Sequence, residues 1–259
     1  MADNVRIMLD AGHGGSDPGA CYGTRKESKD VLKLVLAIGK RLANDYTNAV
    51  IGYTRKTDIF ESVTKKRKDS NNFNADYLFS FHRNSFNKKA KGFETLYYSH
   101  SEVKDSIMED IADEMKELGF EIRGNKCRKD LGILKANAPA LLFEVGFIDN
   151  KGDNKIFDKK FDAIVEAFVR VIAKNCGLKK RTSGKKFAVG NYNAYVEITK
   201  ECAVRKGRGK GYKKLGTLKK GTRVKVLYIA KNAAGNLWAS IDYGDSVGYI
   251  YLGNCKPAY

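Results

Sequence analysis

Val5-Arg6-Ile7-Met8-Leu9-Asp10-Ala11-Gly12-His13-Gly14-Gly15 is the stretch that decides the fold. An apolar run over 5–10 empties into a glycine-rich loop carrying a histidine, the pattern of a buried strand that delivers a reactive side chain at its carboxyl end. Working outward, strand and helix alternate through the first 178 residues. Residues 29–45 place Leu32, Val35, Leu36, Ile38 and Leu42 at helical spacing, with Ser28 as N-cap. Residues 49–54 predict a second strand and 60–72 a polar helix. Residues 76–81 predict a third strand, apolar enough to be buried on both faces. A strand over 92–99, an amphipathic helix over 102–118, strands at 131–134 and 140–145, and a helix over 157–175 complete the series. This order predicts an α/β domain with a twisted, mostly parallel or mixed sheet flanked by helices.

The composition changes near Leu178. Residues 179–259 hold 18 of the 48 Lys and Arg but only 4 of the 30 Asp and Glu, so most of the net charge of +18 lies there. Such a surface suits a polyanionic partner, or is simply a well-solvated lysine-rich face. Short alternating strands at 195–199, 222–229, 238–242 and 247–251 predict a small all-β barrel. The expected organisation is therefore a domain over 1–178, a basic hinge over 179–186 (KKRTSGKK) and a barrel domain over 187–259. No apolar run approaches the roughly 20 residues of a membrane span; the best, over 31–42, is interrupted by Lys33 and Lys40. The N-terminus shows no basic head, long apolar stretch or cleavage site, which predicts synthesis in the cytosol without an export signal. Cysteines at 21, 127, 176, 202 and 255, with no CxxC, argue against a disulfide framework and a thiolate zinc knuckle.

In open α/β sheets, sites form outside the carboxyl ends of strands. His13 follows the first strand, His82 follows the third in Ser-Phe-His-Arg-Asn, and Glu144 ends the strand over 140–145. Glu27 lies in the loop leaving the first strand. Two imidazoles and a carboxylate form a catalytic zinc set that leaves a fourth position for water. A further carboxylate beside that water can move protons. The assignment is one Zn²⁺ on His13, Glu27 and His82, with Glu144 in proton transfer. Spacing alone leaves plainer readings open: His13 as a turn residue, His82 as a hydrogen-bonded core residue, Glu27 as a helix-start carboxylate, Glu144 paired with Arg83. There is no HExxH. The Gly12–Gly19 loop lacks the glycine at 17 that a dinucleotide fingerprint needs, and no G-K-S/T follows. Cys21 as a thiol nucleophile has no helix N-terminus to activate it.

These same residues resemble a known family. Leu9 to Gly15 with Asp17-Pro18-Gly19-Ala20, Glu27 at the first long helix, Ser80-Phe81-His82-Arg83-Asn84, Lys91-Gly92-Phe93-Glu94 and Pro139 to Ile148 are similar, in order and spacing, to the blocks of zinc-dependent N-acetylmuramoyl-L-alanine amidases of the amidase-3 type. The resemblance covers about residues 4–176. It implies peptidoglycan as substrate and hydrolysis of the amide between N-acetylmuramic acid and L-alanine. Arg83 departs from that pattern, where a small residue is usual; beside the metal it is expected, with Asn84, to contact substrate.

Residues 190–255 resemble a bacterial SH3-type wall-binding domain, through 202–221 (CAVRKGRGKGYKKLGTLKKG), Trp238 and Gly248-Tyr249-Ile250. Tyr212, Trp238 and Tyr249 are its candidate wall contacts, and an anionic wall polymer, rather than nucleic acid, is its expected partner. The whole resembles a phage endolysin, released to the wall through a separate pore protein. A peptidase of the peptide stem and a non-catalytic polyanion binder are the other readings the residues allow.

Overall fold

The computed structural model describes residues 4–181 and 187–258. They belong to two units, Met1–Arg181 and Thr182–Tyr259. Of the hinge expected over 179–186, residues 182–186 lie outside the described residues.

The first unit opens with β1 (Val5–Ala11), followed by the small hairpin β2 (Cys21–Tyr22) and β3 (Arg25–Lys26) and helix α1 (Glu27–Asp45). Then come β4 (Ala49–Tyr53), α2 (Val63–Asn72), β5 (Tyr77–Asn84), β6 (Phe93–Tyr97), α3 (Glu102–Glu117), β7 (Ile122–Cys127), β8 (Ala140–Phe147), α4 (Lys151–Lys159) and α5 (Phe161–Asn175). Six strands form a mixed sheet in the order β4-β1-β5-β8-β6-β7, antiparallel only between β6 and β8. The α/β class expected from the alternation is the one observed.

The core explains that arrangement. β5 and β8 are central and nearly continuous in buried residues. Phe81 and Phe143 pack with their ring centroids 5.4 Å apart, and Phe168 of α5 closes on them at 4.9 and 5.1 Å. Helix α1 buries Val31, Leu34, Val35, Ile38 and Leu42 completely, an apolar stripe at 3.6-residue period. The register aligns Ala11 with Phe81, His82 with Glu144, and Glu94 with Glu144. The carboxyl ends of β1, β5 and β8 therefore carry the chemistry to one edge.

Three expectations need correction. Residues 131–134 do not form a strand: Gly132–Lys135 is a 3₁₀ turn that buries Ile133 and Leu134 beside Met8 and Leu78. A four-residue apolar run carries too little periodicity to separate the two. The strand actually present, β7, is an exposed edge with little apolar signal. Ser28 is inside α1 and buried; the N-cap is Lys26, with no side-chain cap. The helix expected over 157–175 is two, broken at Lys160.

The second unit comprises β9 (Gly190–Ile198), β10 (Cys202–Arg205), β11 (Lys214–Leu218), β12 (Arg223–Lys231), β13 (Leu237–Tyr243), β14 (Ser246–Tyr251) and β15 (Cys255–Ala258). They form one seven-stranded sheet in the order β11-β10-β14-β13-β12-β9-β15, every pairing antiparallel. Val196, Ile198, Val204, Val226, Ile229, Ala239, Ile241 and Ile250 fill its interior, as alternate residues of antiparallel strands do.

Candidate active site

His13 stands two residues beyond β1, in the left-handed region with φ of 59°. Its Nδ1 meets Asp17 Oδ2 at 2.8 Å and its Nε2 meets Glu27 Oε1 at 3.1 Å. Glu27, the first residue of α1, is almost wholly buried. Its Oε2 accepts from the Ala20 N–H at 2.9 Å and its Oε1 from the Arg83 N–H at 3.0 Å. That Oε1 also meets His82 Nδ1 at 2.9 Å. One ligand atom from each of His13, Glu27 and His82 lies within 4.8 Å of the others. Three positions separated by up to 69 residues in sequence are thus brought together.

The backbone permits this only with glycine beside it. A Cβ on Gly12 would stand 2.3 Å from His82 Cε1. One on Gly19, whose φ is +66°, would stand 2.6 Å from Glu27 Oε2.

The donor set suits a divalent cation on its own chemistry. Burial disfavours charge on His13, but hydrogen bonds and charge from Glu27 and Asp17 outweigh it and lift the ring to about 9. Burial also opposes charge on His82, and Glu27 again outweighs it, raising that ring. Burial alone would raise Glu27; hydrogen bonds and charge from the two imidazoles hold it well below the usual carboxylate range. The carboxylate thus draws positive charge onto the rings, and a metal dication supplies that charge while leaving the imidazoles neutral.

Two buried cations that the sequence reading missed hold the loop. Arg55 donates through Nε to the Ala11 carbonyl at 3.0 Å and through Nη2 to those of Gly12 and Ser28, both at 2.8 Å. Lys66 Nζ donates to Ala11 O at 2.7 Å and forms an ion pair with Asp10 Oδ1 at 3.0 Å. Asp10 also accepts from Ser80 Oγ at 2.5 Å and Thr54 Oγ1 at 2.7 Å. The one sequence signal was the helical stripe of Lys66 and Ser70, the two buried residues of α2. A cleft of about 250 Å³ opens above this network, lined by His13, His82 and Lys66 and rimmed by Phe60 and Val63.

Glu144 lies on β8, opposite His82 on one side and Glu94 on the other. Its Oε2 is buried and without a hydrogen-bond partner among the described residues. Burial, reinforced by the negative charges of Glu27 and Glu94 against the opposing effect of His82, pushes it up to about 7. A carboxyl so placed holds or releases a proton near neutrality. Glu94 itself is compensated by Arg123 Nε at 3.0 Å and by Lys126.

Arg83, expected to contact substrate, is turned into the core. Its side chain is fully buried, pairs with Asp30 Oδ2 at 2.8 Å, donates to Asn154 Oδ1 at 2.8 Å and lies 4.2 Å over the Phe157 ring. Alternation along β5 turns it away from the face of His82. It is therefore committed to Asp30, Asn154 and Phe157 rather than to Glu144, and its burial argues against a direct substrate contact. Asn84 donates to Glu94 Oε1 at 3.0 Å and accepts from the Ser85 N–H, which leaves one amide N–H uncommitted. In the second unit Trp238 is buried against Tyr251, with ring centroids 5.7 Å apart, a core position rather than an open face. Tyr249 is half-buried and Tyr212 is 56% exposed.

Residues 7–174 match the Amidase_3 family, N-acetylmuramoyl-L-alanine amidase, and residues 202–254 match the SH3_3 bacterial SH3 domain. The chain is 31% identical over 194 residues to the N-acetylmuramoyl-L-alanine amidase CwlM of Bacillus licheniformis, covering 74% of each. It is 34% identical over 188 residues to the endolysin of Bacillus phage SPP1, covering 69% of this chain and 68% of the phage protein. The catalytic domain of CwlV, an amidase from Bacillus (Paenibacillus) polymyxa var. colistinus, superposes with a TM-score of 0.62 at 24% identity. That likeness covers 68% of this chain and 99% of the other and speaks for the fold.

Proposed function

The chain belongs to the Amidase_3 family, and from that premise we propose that it uses Zn²⁺ on His13, Glu27 and His82 to cleave the amide between N-acetylmuramic acid and L-alanine. It is an enzyme of the N-acetylmuramoyl-L-alanine amidase type acting on peptidoglycan, with a bacterial SH3 domain as its second unit. Two imidazoles and one carboxylate are the donors of choice for zinc with an open position. The bound ion supplies a Lewis acid and acidifies water toward neutrality. The observation that carries the rest is the unpartnered Oε2 of Glu144 beside the three donors. Glu144 takes the proton of the attacking water and returns it to the departing alanine nitrogen. Arg55 and Lys66 keep the His13 loop in place throughout, and Phe60 and Val63 give the cleft an apolar rim.

The Glu144→Gln variant is expected to lower the rate of wall turbidity loss by about 10²–10⁴-fold with zinc content unchanged. Normal lysis by that variant would remove Glu144 from the mechanism. Mass spectrometry of digested wall should show a new alanine N-terminus on intact glycan. A new amine elsewhere in the stem would make the enzyme a peptidase. The likeness to the SPP1 endolysin supports a lytic role, with the second unit retaining the enzyme at an anionic wall. On that reading, expression inside a Bacillus cell lyses the culture only once the membrane is permeabilised by a separate pore; spontaneous lysis contradicts it.

A further inference from the structure

We propose that the loop joining β10 to β11 is the wall-binding site of the second unit, and that its ligand is a linear phosphodiester polymer of the cell wall. The inference deepens the reading of the chain as a wall amidase and rests on it.

Arg205, Lys206, Arg208, Lys210, Lys213 and Lys214 put six cations into ten residues with no acid among them. All but the half-buried Arg205 are exposed, and among the described residues none of the six forms an ion pair with a carboxylate. Like charges held this close repel one another, so the folded loop carries an unfavourable field that a polyanion relieves. A neutral glycan needs no such field. A linear polymer with a charge on every repeat meets several cations at once and releases its counterions.

The loop is also built. Arg205 Nη1 donates to the Tyr212 carbonyl at 2.8 Å, the Lys206 N–H to Lys213 O at 2.9 Å, and the Tyr212 N–H to Gly209 O at 3.2 Å. Glycine lets the Tyr212 ring lie against this frame. A Cβ on Gly207 would stand 2.5 Å from Tyr212 Cδ1, and one on Gly209 would stand 3.4 Å from Cδ2. Each edge of the ring therefore rests on one glycine, and the ring remains 56% exposed among the cations. The unit's other exposed rings, Tyr195 and Tyr228, lie on β9 and β12, where the cations Arg223, Lys225 and Lys231 are spread along a strand rather than crowded into a loop, and Arg223 already lies over the Tyr195 ring at 5.8 Å. The densest run of cations and the unit's most exposed ring coincide in the loop.

The test is sedimentation of the full chain with purified Bacillus walls, intact or stripped of phosphodiester polymer, and the same with duplex DNA as competitor. The wild-type chain should bind stripped walls about tenfold more weakly than intact ones. The triple variant Lys206→Glu/Lys210→Glu/Lys213→Glu should lose at least about tenfold on intact walls and show a flatter salt dependence. Lys219→Glu/Lys220→Glu, equally exposed but outside the loop, should lose less than about threefold. Gly207→Ala, which adds no charge but displaces the ring, should fall between the two. Thermal unfolding of each variant confirms that the barrel is folded. Equal binding to stripped walls overturns the polymer as ligand. An equal loss from the Lys219/Lys220 pair overturns the loop as the site, since bulk charge then suffices. Displacement by DNA at lower phosphate concentration than by the extracted polymer assigns the loop to nucleic acid and overturns the proposal. Release of alanine amino groups from stripped walls by the wild-type chain is followed alongside, and its failure would strike the amidase reading alone.

Discussion

The two units treat positive charge in opposite ways. In the first, cations are matched by carboxylates: Lys66 by Asp10, Arg83 by Asp30, Arg41 by Asp45 and Glu166, Arg170 by Glu114. In the second, carboxylates are scarce: Lys256 pairs with Glu197, but the region from 179 onward holds 18 Lys and Arg against 4 Asp and Glu. Charge in the amidase unit is internal, organising a site. Charge in the SH3 unit faces outward and waits for a partner. Function should therefore divide the same way, with metal and buried ion pairs governing catalysis and salt governing retention at the wall.

The largest effect that can break this division is metal removal. Chelation should abolish hydrolysis and added zinc should restore it, while sedimentation with walls stays unchanged. Loss of both together would mean that the metal organises the second unit as well.

Next is Lys66→Met. It leaves Asp10 buried and uncompensated and frees the Ala11 carbonyl, so destabilisation of about 3–5 kcal/mol is expected. Because those groups position His13, zinc affinity measured by competition with a chelator should fall about 10–100-fold. Lys66→Arg should recover most of both. Unchanged zinc affinity in a folded Lys66→Met protein would confine the lysine to stability. Arg83→Met sharpens the same point from the other side. Calorimetry should show a loss of about 3 kcal/mol as Asp30 loses a partner, with KM for wall fragments unaltered. A raised KM would restore the substrate role that the buried side chain argues against. Smaller still is ionic strength. Going from about 50 to about 200 mM salt should weaken wall binding steeply and leave cleavage of a soluble muramyl peptide nearly constant.

How much of this was legible in the sequence follows from what periodicity and composition encode. The strand–helix alternation, the convergence of His13, His82 and Glu144 on one sheet edge and the basic β-rich unit were readable, because each is a local pattern, although β5 and β8 run on past His82 and Glu144 to Asn84 and Phe147. The burial of Arg83 and Trp238 was not legible, because both are residue types that bind substrates when exposed and one sequence does not reveal which face of a strand meets the core. Arg55 and Lys66 went unseen for a related reason. A lysine in a polar helix is ordinarily solvated, and only the packing of α2 beside the loop turns it inward. Phe161, Ile164 and Phe168 continue the apolar spacing of Phe157, which hid the break at Lys160.

The weakest expected effect tests what the contrast between the units means. Arg170 with Glu114 in the first unit and Lys256 with Glu197 in the second are both ion pairs with a largely exposed cation. Such pairs contribute roughly 0.2–1 kcal/mol, since water screens the attraction and side-chain ordering opposes it. Arg170→Ala and Lys256→Ala should therefore each change stability by less than about 1 kcal/mol, seen as similarly small shifts in chemical denaturation. If so, the many surface pairs of the first unit do not make it the more stable one. The distinction between the units is then one of availability: buried pairs fix the amidase site, surface pairs are nearly neutral, and the cations crowded into 205–214 are the densest cluster left to meet a ligand. A loss of several kcal/mol from Lys256→Ala would show instead that the barrel depends on this pair. The open charge around that pair would then be a liability of the fold before it is a binding device.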